Sequence, residues 1–369
     1  MYTNVTQGWI SSQSRAFAPE GFVEIECYIP DLLTSIKFTK RDLLKFVHRQ
    51  TASPLSAELP KNHIEFSVDN SDDKWNPSNP NGMYRYLSER LRITVRYGFN
   101  IGGALEWIPG GVFYLSEWGT TQNGCEATFV ARDVFEYMLD TPYTGSMFGT
   151  LQEIATTAVT NAELPSGTEI LFDASLADYE MGSVGPSEKY SVAQVLQKCA
   201  NAARCVLYQN REGALVIARK DKTHTNFTVP LRLSYSYPKI EFSRPMKSVE
   251  VTYSGGAKMT RNMGGSGEMQ TLDNNFIATE AQAFAIAEWV EDNLGSRKTI
   301  SGEFRGDPRI DVLDLISVET KYGMIEQLLL TDISINFTGA FTMTFKGYVN
   351  YDSISAVHYS GELYAGEVI

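Results

Sequence analysis

Residues Leu329 to Lys346 read LLTDISINFTGAFTMTFK. Ile333, Ile335 and Phe337 alternate with Asp332, Ser334, Asn336 and Thr338, and beyond Gly339 the residues Phe341, Met343 and Phe345 alternate with Thr342, Thr344 and Lys346. A period of two sends successive side chains to opposite faces of a strand, so this stretch is predicted to be an antiparallel hairpin with one apolar and one polar face. Such a polar face either meets bulk solvent or lines a water-filled channel.

Upstream of the hairpin lies Leu315 to Gly323, LISVETKYG, and the pair has a counterpart near the start of the chain. Leu91 to Gly98 (LRITVRYG) leads to Phe113 to Arg132 (FYLSEWGTTQNGCEATFVAR). Each copy is read as a strand ending in Tyr-Gly, Tyr97-Gly98 and Tyr322-Gly323, followed by a hairpin. Leu115, Ser116, Glu117 and Gly124 keep the spacing of Leu330, Thr331, Asp332 and Gly339. A duplicated β unit supplies two similar faces to one ring, which is the logic of an assembly part more than of a catalytic pocket. The plainer reading is that any two amphipathic hairpins look alike.

The 369 residues exceed the size at which a single core stops growing, and predict two or three domains. A hydrophobic fraction of 43% and a charged fraction of 21% are those of a folded globular chain, while 29 Gly, 19 Phe and 19 Tyr favour strands and turns. The formal net charge of -12 is spread without an acidic tail, which disfavours a protein that grips nucleic acid by neutralising phosphates. Cys27, Cys125, Cys199 and Cys205 form no CxxC and no zinc spacing, so buried free thiols are expected. The N-terminus lacks a signal-peptide pattern and no stretch has the ~20 apolar residues of a membrane helix, so folding in a cytoplasm is expected.

Residues 1 to about 20 read as a flexible arm or a strand ordered on assembly. Phe22 to Ile29 alternates with Glu24 and Glu26 on one face, and Ile64, Phe66 and Val68 continue the same pattern. Between Asp69 and Gly82 the dense Asn, Asp, Ser, Pro and Gly predict a long loop shaped by local turn chemistry. Leu151, Ile154, Ala155, Ala158 and Val159 recur at helical spacing, as do Val192, Val195, Leu196, Cys199, Ala200 and Ala203, the second run opening on a Ser191/Gln194 capping box. A turn at Asn210 to Gly213 then joins two short strands. Thr279 to Leu294 is a third helix closed by Gly295, and Ser254 to Gly267 reads as a Gly-rich mobile loop. The predicted class is α+β, mainly antiparallel β. It comprises an N-terminal arm and first tube-like β-barrel or β-sandwich domain (1–143), a small α/β insertion (144–228), a second tube-like domain with one helix (229–350) and a polar tail (351–369).

The chain carries few signs of catalytic or ligand chemistry. Gly264-Gly265-Ser266-Gly267 lacks the Lys of a phosphate loop. Asp69, Ser71 and Asp73 imitate the first calcium-loop ligands, but Lys74 stands where Gly is needed and Pro80 where the bidentate Glu belongs, so turn-capping carboxylates are the better reading. His48, His63, His224 and His358 lie in unrelated segments and read as single surface or boundary residues. No nucleophile signature or defensible acid-base pair stands out, and no enzymatic role, metal or cofactor is expected.

The ordered set FSVDNSDDKWNP, LRITVRYGF, GVFYLSEW and ATFVARDVFEYM, then LQEIATTAV, SVAQVLQKCANAARCVLYQNREGALVI and GDPRIDVLDLISV, resembles the tail-tip hub, or baseplate hub, proteins of bacteriophages over residues 22 to 350. What the resemblance implies is a homotrimer in which each chain supplies two tube-like domains, so that six similar units continue a hexameric tail tube and form a channel for genome ejection. The implied partners are a distal-tail ring or tube protein above, a tip or fibre protein below, tape-measure protein in the lumen, and DNA only in passing. The implied place is the virion tail tip, assembled in the host cytoplasm. Many hubs carry a lytic domain after this region, whereas this chain stops soon after its last strand, so cell-wall digestion is not expected. Glu117, Asp332, Ser334, Asn336, Thr342 and Thr344 are the candidate lumen-facing residues, and they predict a neutral to acidic wall. The alternatives are a distal-tail hexameric ring component, with one tube domain per chain, and a receptor- or glycan-binding tail protein using Trp75, Tyr84, Tyr86 and Trp107.

Overall fold

The computed structural model describes residues 1–13, 15, 17–181, 190–220, 224–295 and 298–349. The expected tail 351–369, with His358, lies outside the described residues, as does the His224 side chain.

In chain order, helix α1 (Gln7–Gln13) precedes strands β1 (Gly21–Ile29), β2 (Thr34–Phe38), β3 (Leu43–Thr51), β4 (Lys61–Asp69), β5 (Arg92–Ile101), β6 (Ala104–Thr120) and β7 (Glu126–Arg132). Helix α2 (Leu151–Asn161), β8 (Ile170–Phe172), helix α3 (Val192–Ala202), β9 (Val206–Gln209) and β10 (Leu215–Ala218) follow. Next come β11 (His224–Val229), β12 (Lys239–Phe242), β13 (Ser248–Tyr253), β14 (Ala257–Asn262), β15 (Met269–Asp273) and helix α4 (Glu280–Leu294). The last strands are β16 (Lys298–Phe304), β17 (Leu315–Glu319), β18 (Ile325–Phe337) and β19 (Phe341–Val349). The class is α+β and mainly antiparallel, as the alternation predicts.

The alternating strands assemble into one large sheet in the order β12-β16-β19-β18-β3-β4-β7-β6-β5-β1-β2, with β17 on β18 and β11 parallel to β17. The two halves of the chain are therefore one sheet, joined where β18 pairs antiparallel with β3 from Asp332↔Thr51 to Phe337↔Phe46. Strong coiling brings β1, β2 and β5 back over the apolar face, so that Phe38 meets Phe66 and Phe129, and Tyr97 and Phe99 meet Phe341. A single core results, containing Ile64 and Phe113 from one half and Ile335 and Phe345 from the other. Among the described residues no pairing joins β12 to β2, so this large sheet is open, where the sequence reading expected two tube-like barrels or sandwiches.

The helices nucleate a second core. Both capping boxes form: Thr150 accepts from the Glu153 N–H while Glu153 accepts from the Thr150 N–H, and Ser191 and Gln194 do the same. Each cap satisfies orphan donors and is worth ~1 kcal/mol. Leu151, Ile154 and Ala158 of α2 and Val195, Leu196 and Cys199 of α3 are buried there together with Val249, Val251, Ile286 and Val290. Strands β13 to β15 and helix α4 thus pack with the insertion, whereas the sequence reading placed them in the second tube-like unit 229–350. Periodicity shows that an element has an apolar face; it does not show which core that face meets.

Three local expectations change. The N-terminal arm is a short helix, because Trp9 is an anchor: it is fully buried and packs edge-on to Phe99 at 4.8 Å. Ser254 to Gly267 is not one loop but a turn followed by β14, which pairs with β13 along its whole length. Tyr97-Gly98 is not a strand end: both residues lie within β5, Tyr97 being fully buried, while Tyr322 is 85% exposed in the β17–β18 turn where Gly323 takes φ +77°. That turn conformation is one a Cβ disfavours, whereas Gly98 is small because the Trp107 ring covers it.

Candidate functional site

The duplication survives in the backbone more than in the side chains. Arg90 and Leu313 both take φ +66°, one residue before Leu91 and Asp314. The Arg90 N–H donates to the Leu115 carbonyl at 2.7 Å and the Leu115 N–H to that of Leu91 at 2.9 Å; Leu313 donates to Leu330 at 2.7 Å and Leu330 to Asp314 at 3.0 Å. Immediately afterwards each long strand bulges, between Leu115 and Glu117 in β6 and between Leu330 and Asp332 in β18. Each then turns at a left-handed glycine, Gly124 (φ +73°) and Gly339 (φ +103°). A bulge adds one residue and bends its strand, so equal bulges bend β6 and β18 at equivalent points. Tracing the register outward makes β7 equivalent to β19, β4 to β16 and β3 to β12.

The face that these strands turn away from the core is continuous and mainly polar, interrupted by Val130 and by Val47, which is buried. One cross-strand row runs Thr342, Asn336, Val47, Glu65, Val130, Glu117. A second runs Glu303, Thr344, Ser334, Arg49, His63, Arg132, and a third Ser301, Lys346, Asp332, Thr51, Lys61. All six candidate residues, Glu117, Asp332, Ser334, Asn336, Thr342 and Thr344, therefore lie on one face, and Glu117 shares a row with Asn336 and Thr342. The Asp332 carboxylate accepts from the Thr331 hydroxyl at 2.7 Å and from the Thr51 hydroxyl at 3.5 Å. Arg132 bridges Glu117 at 3.2 Å and Glu136 at 3.4 Å.

The expected neutral to acidic wall is revised by the strands between the hairpins. Arg49, His63 and Arg132 are neighbours in the second row with Lys61 close by, and Glu65, Glu117, Glu303, Asp332 and Lys346 lie around them, so the face carries both signs and includes a small basic group. Arg49 was legible in principle, since Phe46, His48 and Gln50 alternate with Val47, Arg49 and Thr51, and so was Lys61, which keeps the period of His63 and Glu65 in β4.

Sequence reading also missed the polar joint behind this face. His48 is fully buried, its Nδ1 2.6 Å from the Tyr97 hydroxyl and its Nε2 2.7 Å from Asn62 Oδ1, an arrangement met by a neutral ring that donates from Nε2 and accepts at Nδ1. Desolvation lowers its pKa to about 4, outweighing the Asn62 hydrogen bond. Gln50 extends the network by accepting from the Val312 N–H at 3.2 Å. In the GDPRIDVLDL stretch Asp307 and Arg309 form a buried pair at 2.6 Å. Asp311 grips Arg211, from the β9–β10 turn, through both carboxylate oxygens at 2.8 to 3.0 Å. Burial pushes the Asp311 carboxyl up, but the Arg211 guanidinium overcomes it and holds the pKa below the usual range. Arg211 also donates to the Pro109 carbonyl at 3.0 Å, so this one side chain ties the helical core to both halves of the sheet.

Other candidates resolve into structure. Asp69 and Asp72 accept from the Ser71 and Lys74 N–H groups, as turn caps do, and Trp75 is buried against Phe38 and Phe129. Tyr84, Tyr86 and Trp107 are half-buried, Trp107 lying under the Arg96 guanidinium, so the aromatics do not form an open platform for a sugar. Cys27, Cys199 and Cys205 are buried free thiols as expected, but Cys125 is exposed. Among the described residues no group of three or more His, Cys, Asp and Glu side chains could hold a metal ion, and no helix is long and apolar enough to cross a membrane.

This architecture has solved counterparts. The tail protein from Neisseria meningitidis superposes with a TM-score of 0.61 at 13% identity, covering 89% of this chain and 96% of that one. The fold is that of prophage tail proteins. The 43 kDa tail protein of prophage MuSo2 from Shewanella oneidensis matches with a TM-score of 0.58 at 15% identity (89% and 98% covered), and the prophage tail protein gp18 from Listeria monocytogenes with 0.52 at 11% (90% and 96% covered). No family model and no curated protein sequence matches the chain. At these identities the kinship lies in the fold, and the polar face and the duplicated bulges are this chain's own evidence for use.

Proposed function

We propose that the protein is a structural hub of a phage-type tail tip. Three copies form a ring of six similar units that continues the tail tube, and the polar face lines the channel through which the genome leaves. The observation that carries this reading is the backbone duplication: left-handed residue, bulge and glycine turn recur at Arg90, Ser116 and Gly124 and at Leu313, Thr331 and Gly339. Two equivalent units in one chain let a threefold assembly match a sixfold neighbour. Hydroxyls and amides dominate the hairpin part of the face, and Arg132 of its basic group is already engaged by Glu117 and Glu136, so on this reading DNA meets few free cations and slides past without being held. The partners on this reading are a tube or distal-tail ring protein above, a tip or fibre protein below, and tape-measure protein within the lumen.

Mass measurement of the purified full chain tests the assembly. A closed trimer with threefold symmetry in electron micrographs is the expected result. A hexamer with one unit per chain around the ring would replace the hub by a distal-tail ring component, and a monomer at all concentrations would remove both. The channel reading has its own test, because Glu117 and Asp332 occupy equivalent places after the two bulges. Glu117→Lys and Asp332→Lys should each slow genome ejection from assembled particles, and adding Asn336→Lys to the latter should slow it further; ejection at the normal rate from intact particles would take the polar face out of the lumen.

A further inference from the structure

Within one chain, the half of β18 beyond its bulge, Asp332 to Phe337, is flanked on both edges: β19 lies on one side and β3 on the other. The equivalent half of β6, Glu117 to Thr120, has β7 on one side and no strand on the other among the described residues. Conversely β3 is covered by β18, whereas among the described residues its equivalent β12 pairs only with β16 and ends the sheet. The two bare edges are thus the two halves of a contact that the chain already makes once with itself. Bare strand edges carry unpaired N–H and C=O groups and act as templates for another chain.

Burial points the same way. His48 and Gln50 of β3 are 1% and 7% exposed beneath their neighbours, while Ile240 and Phe242, which the register places at the same positions of β12, are 38% and 75% exposed. Apolar side chains left open where the repeat buries polar ones call for a covering surface. On the other bare edge the Trp118 ring faces the core side, and its indole N–H is buried without a hydrogen-bond partner.

We infer that β12 of one copy adds antiparallel to Glu117–Thr120 of a neighbouring copy, in the register that sets Phe242 opposite Trp118 and Glu241 opposite Gly119. The occupant of each edge is a second copy of this chain. This rests on the ring proposed above and specifies its contact. The register is the β3·β18 pairing carried over: Ile333↔Gln50 becomes Trp118↔Phe242, and Ser334↔Arg49 becomes Gly119↔Glu241. Because the contact joins different surfaces of the two copies it is head to tail, and it closes a ring when the rotation divides a full turn. The polar face then runs unbroken from chain to chain, since Glu241 and Gly119 both lie on it.

Cysteine pairs in the full-length chain test the register. With the exposed Cys125 changed to Ser, the variant Gly119→Cys/Glu241→Cys places its thiols on directly opposed residues of adjacent strands, within reach of a disulfide. A Cβ at Gly119 meets nothing within 4 Å in the single chain, so the substitution is sterically free. Under mild oxidation the pair should give covalent multimers, up to a closed ring, that are at least about tenfold more abundant than from Gly119→Cys/Lys239→Cys, displaced by two residues. Separately, Phe242→Lys should raise the concentration for half-assembly at least about tenfold and leave the melting temperature of the single chain unchanged. Chains that still assemble into trimers but do not cross-link at 119/241, or whose assembly ignores Phe242→Lys, would overturn this contact and leave the ring standing. Chains that stay monomeric would overturn both.

Discussion

The segments β5–β6–β7 and β17–β18–β19 have nearly unrelated side chains and nearly the same backbone. Trp118 stands where Ile333 stands, Thr120 where Ile335 does, and Gly119 where Ser334 does, yet the left-handed residue, the bulge and the glycine turn coincide. Side chains on a half-buried face can be exchanged if volume and polarity are kept, whereas a bulge fixes where a strand bends and what it can pair with next. What distinguishes the copies is their company: β18 has β3 beside it, and among the described residues no strand pairs with that edge of the matching half of β6.

The largest effect comes from breaking the copy that is already paired. Phe337 is fully buried at the join, its ring tilted against that of Phe341 with centroids 5.0 Å apart, and it stands opposite Phe46. Phe337→Ala should cost ~3–5 kcal/mol in urea unfolding, by lost transfer free energy and the cavity left behind. The corresponding place in the first copy is Gln122, which is exposed, and Gln122→Ala should cost less than ~0.5 kcal/mol. Equal losses at the two positions would mean that Gln122 is as enclosed as Phe337, and that the two copies do not differ in their company.

The second effect is a matter of pH. His48 joins the halves as a neutral ring whose pKa burial lowers to about 4, while in the unfolded chain it titrates near ~6.5. The native state therefore binds fewer protons between those values, so the contribution is fully present above pH ~6.5 and is lost progressively as pH falls toward 4. The loss is on the order of 3 kcal/mol, one tenfold change in proton affinity being ~1.4 kcal/mol. Its equivalent, Ile240, carries no proton. Stability measured from pH 7 to pH 4.5 should fall more steeply in the native chain than in His48→Gln, and parallel curves would show that the imidazole takes up its proton without opening the joint.

These two residues also mark what the sequence made legible. Phe337 sits in a strict alternation, so its strand, its turn at Gly339 and its burial follow from period two alone. Its polar neighbours Asp332, Ser334 and Asn336 were found on one face for the same reason. His48 also alternates correctly, yet a lone histidine carries no sign of the groups that meet it, because Asn62 is placed by the register of the next strand and Tyr97 comes from a strand 49 residues away. The bulges were equally silent. Leu115-Ser116-Glu117 and Leu330-Thr331-Asp332 have no glycine or proline to mark the extra residue, and the equal spacing to Gly124 and Gly339 was the only trace. The destination of α4 was hidden for a third reason, that an apolar helical stripe does not name its partner.

The smallest effect is the most discriminating, because it sets identical backbones against different side chains. Arg90 and Leu313 share φ +66°, a conformation that costs an L-residue ~1 kcal/mol and glycine almost nothing. Arg90 is exposed and its guanidinium lies 4.5 Å from the Tyr137 ring, a contact worth well under ~1 kcal/mol at the surface. Arg90→Gly should therefore leave stability unchanged or raise it by up to ~1 kcal/mol. Leu313 is buried beside Ala52 and Val206, so Leu313→Gly relieves the same strain but removes a packed side chain worth ~2–3 kcal/mol, and the net change should be a loss of ~1–2 kcal/mol. Opposite signs at the two positions, read from unfolding midpoints, would show one strained turn used twice with only the second copy anchoring it through its side chain.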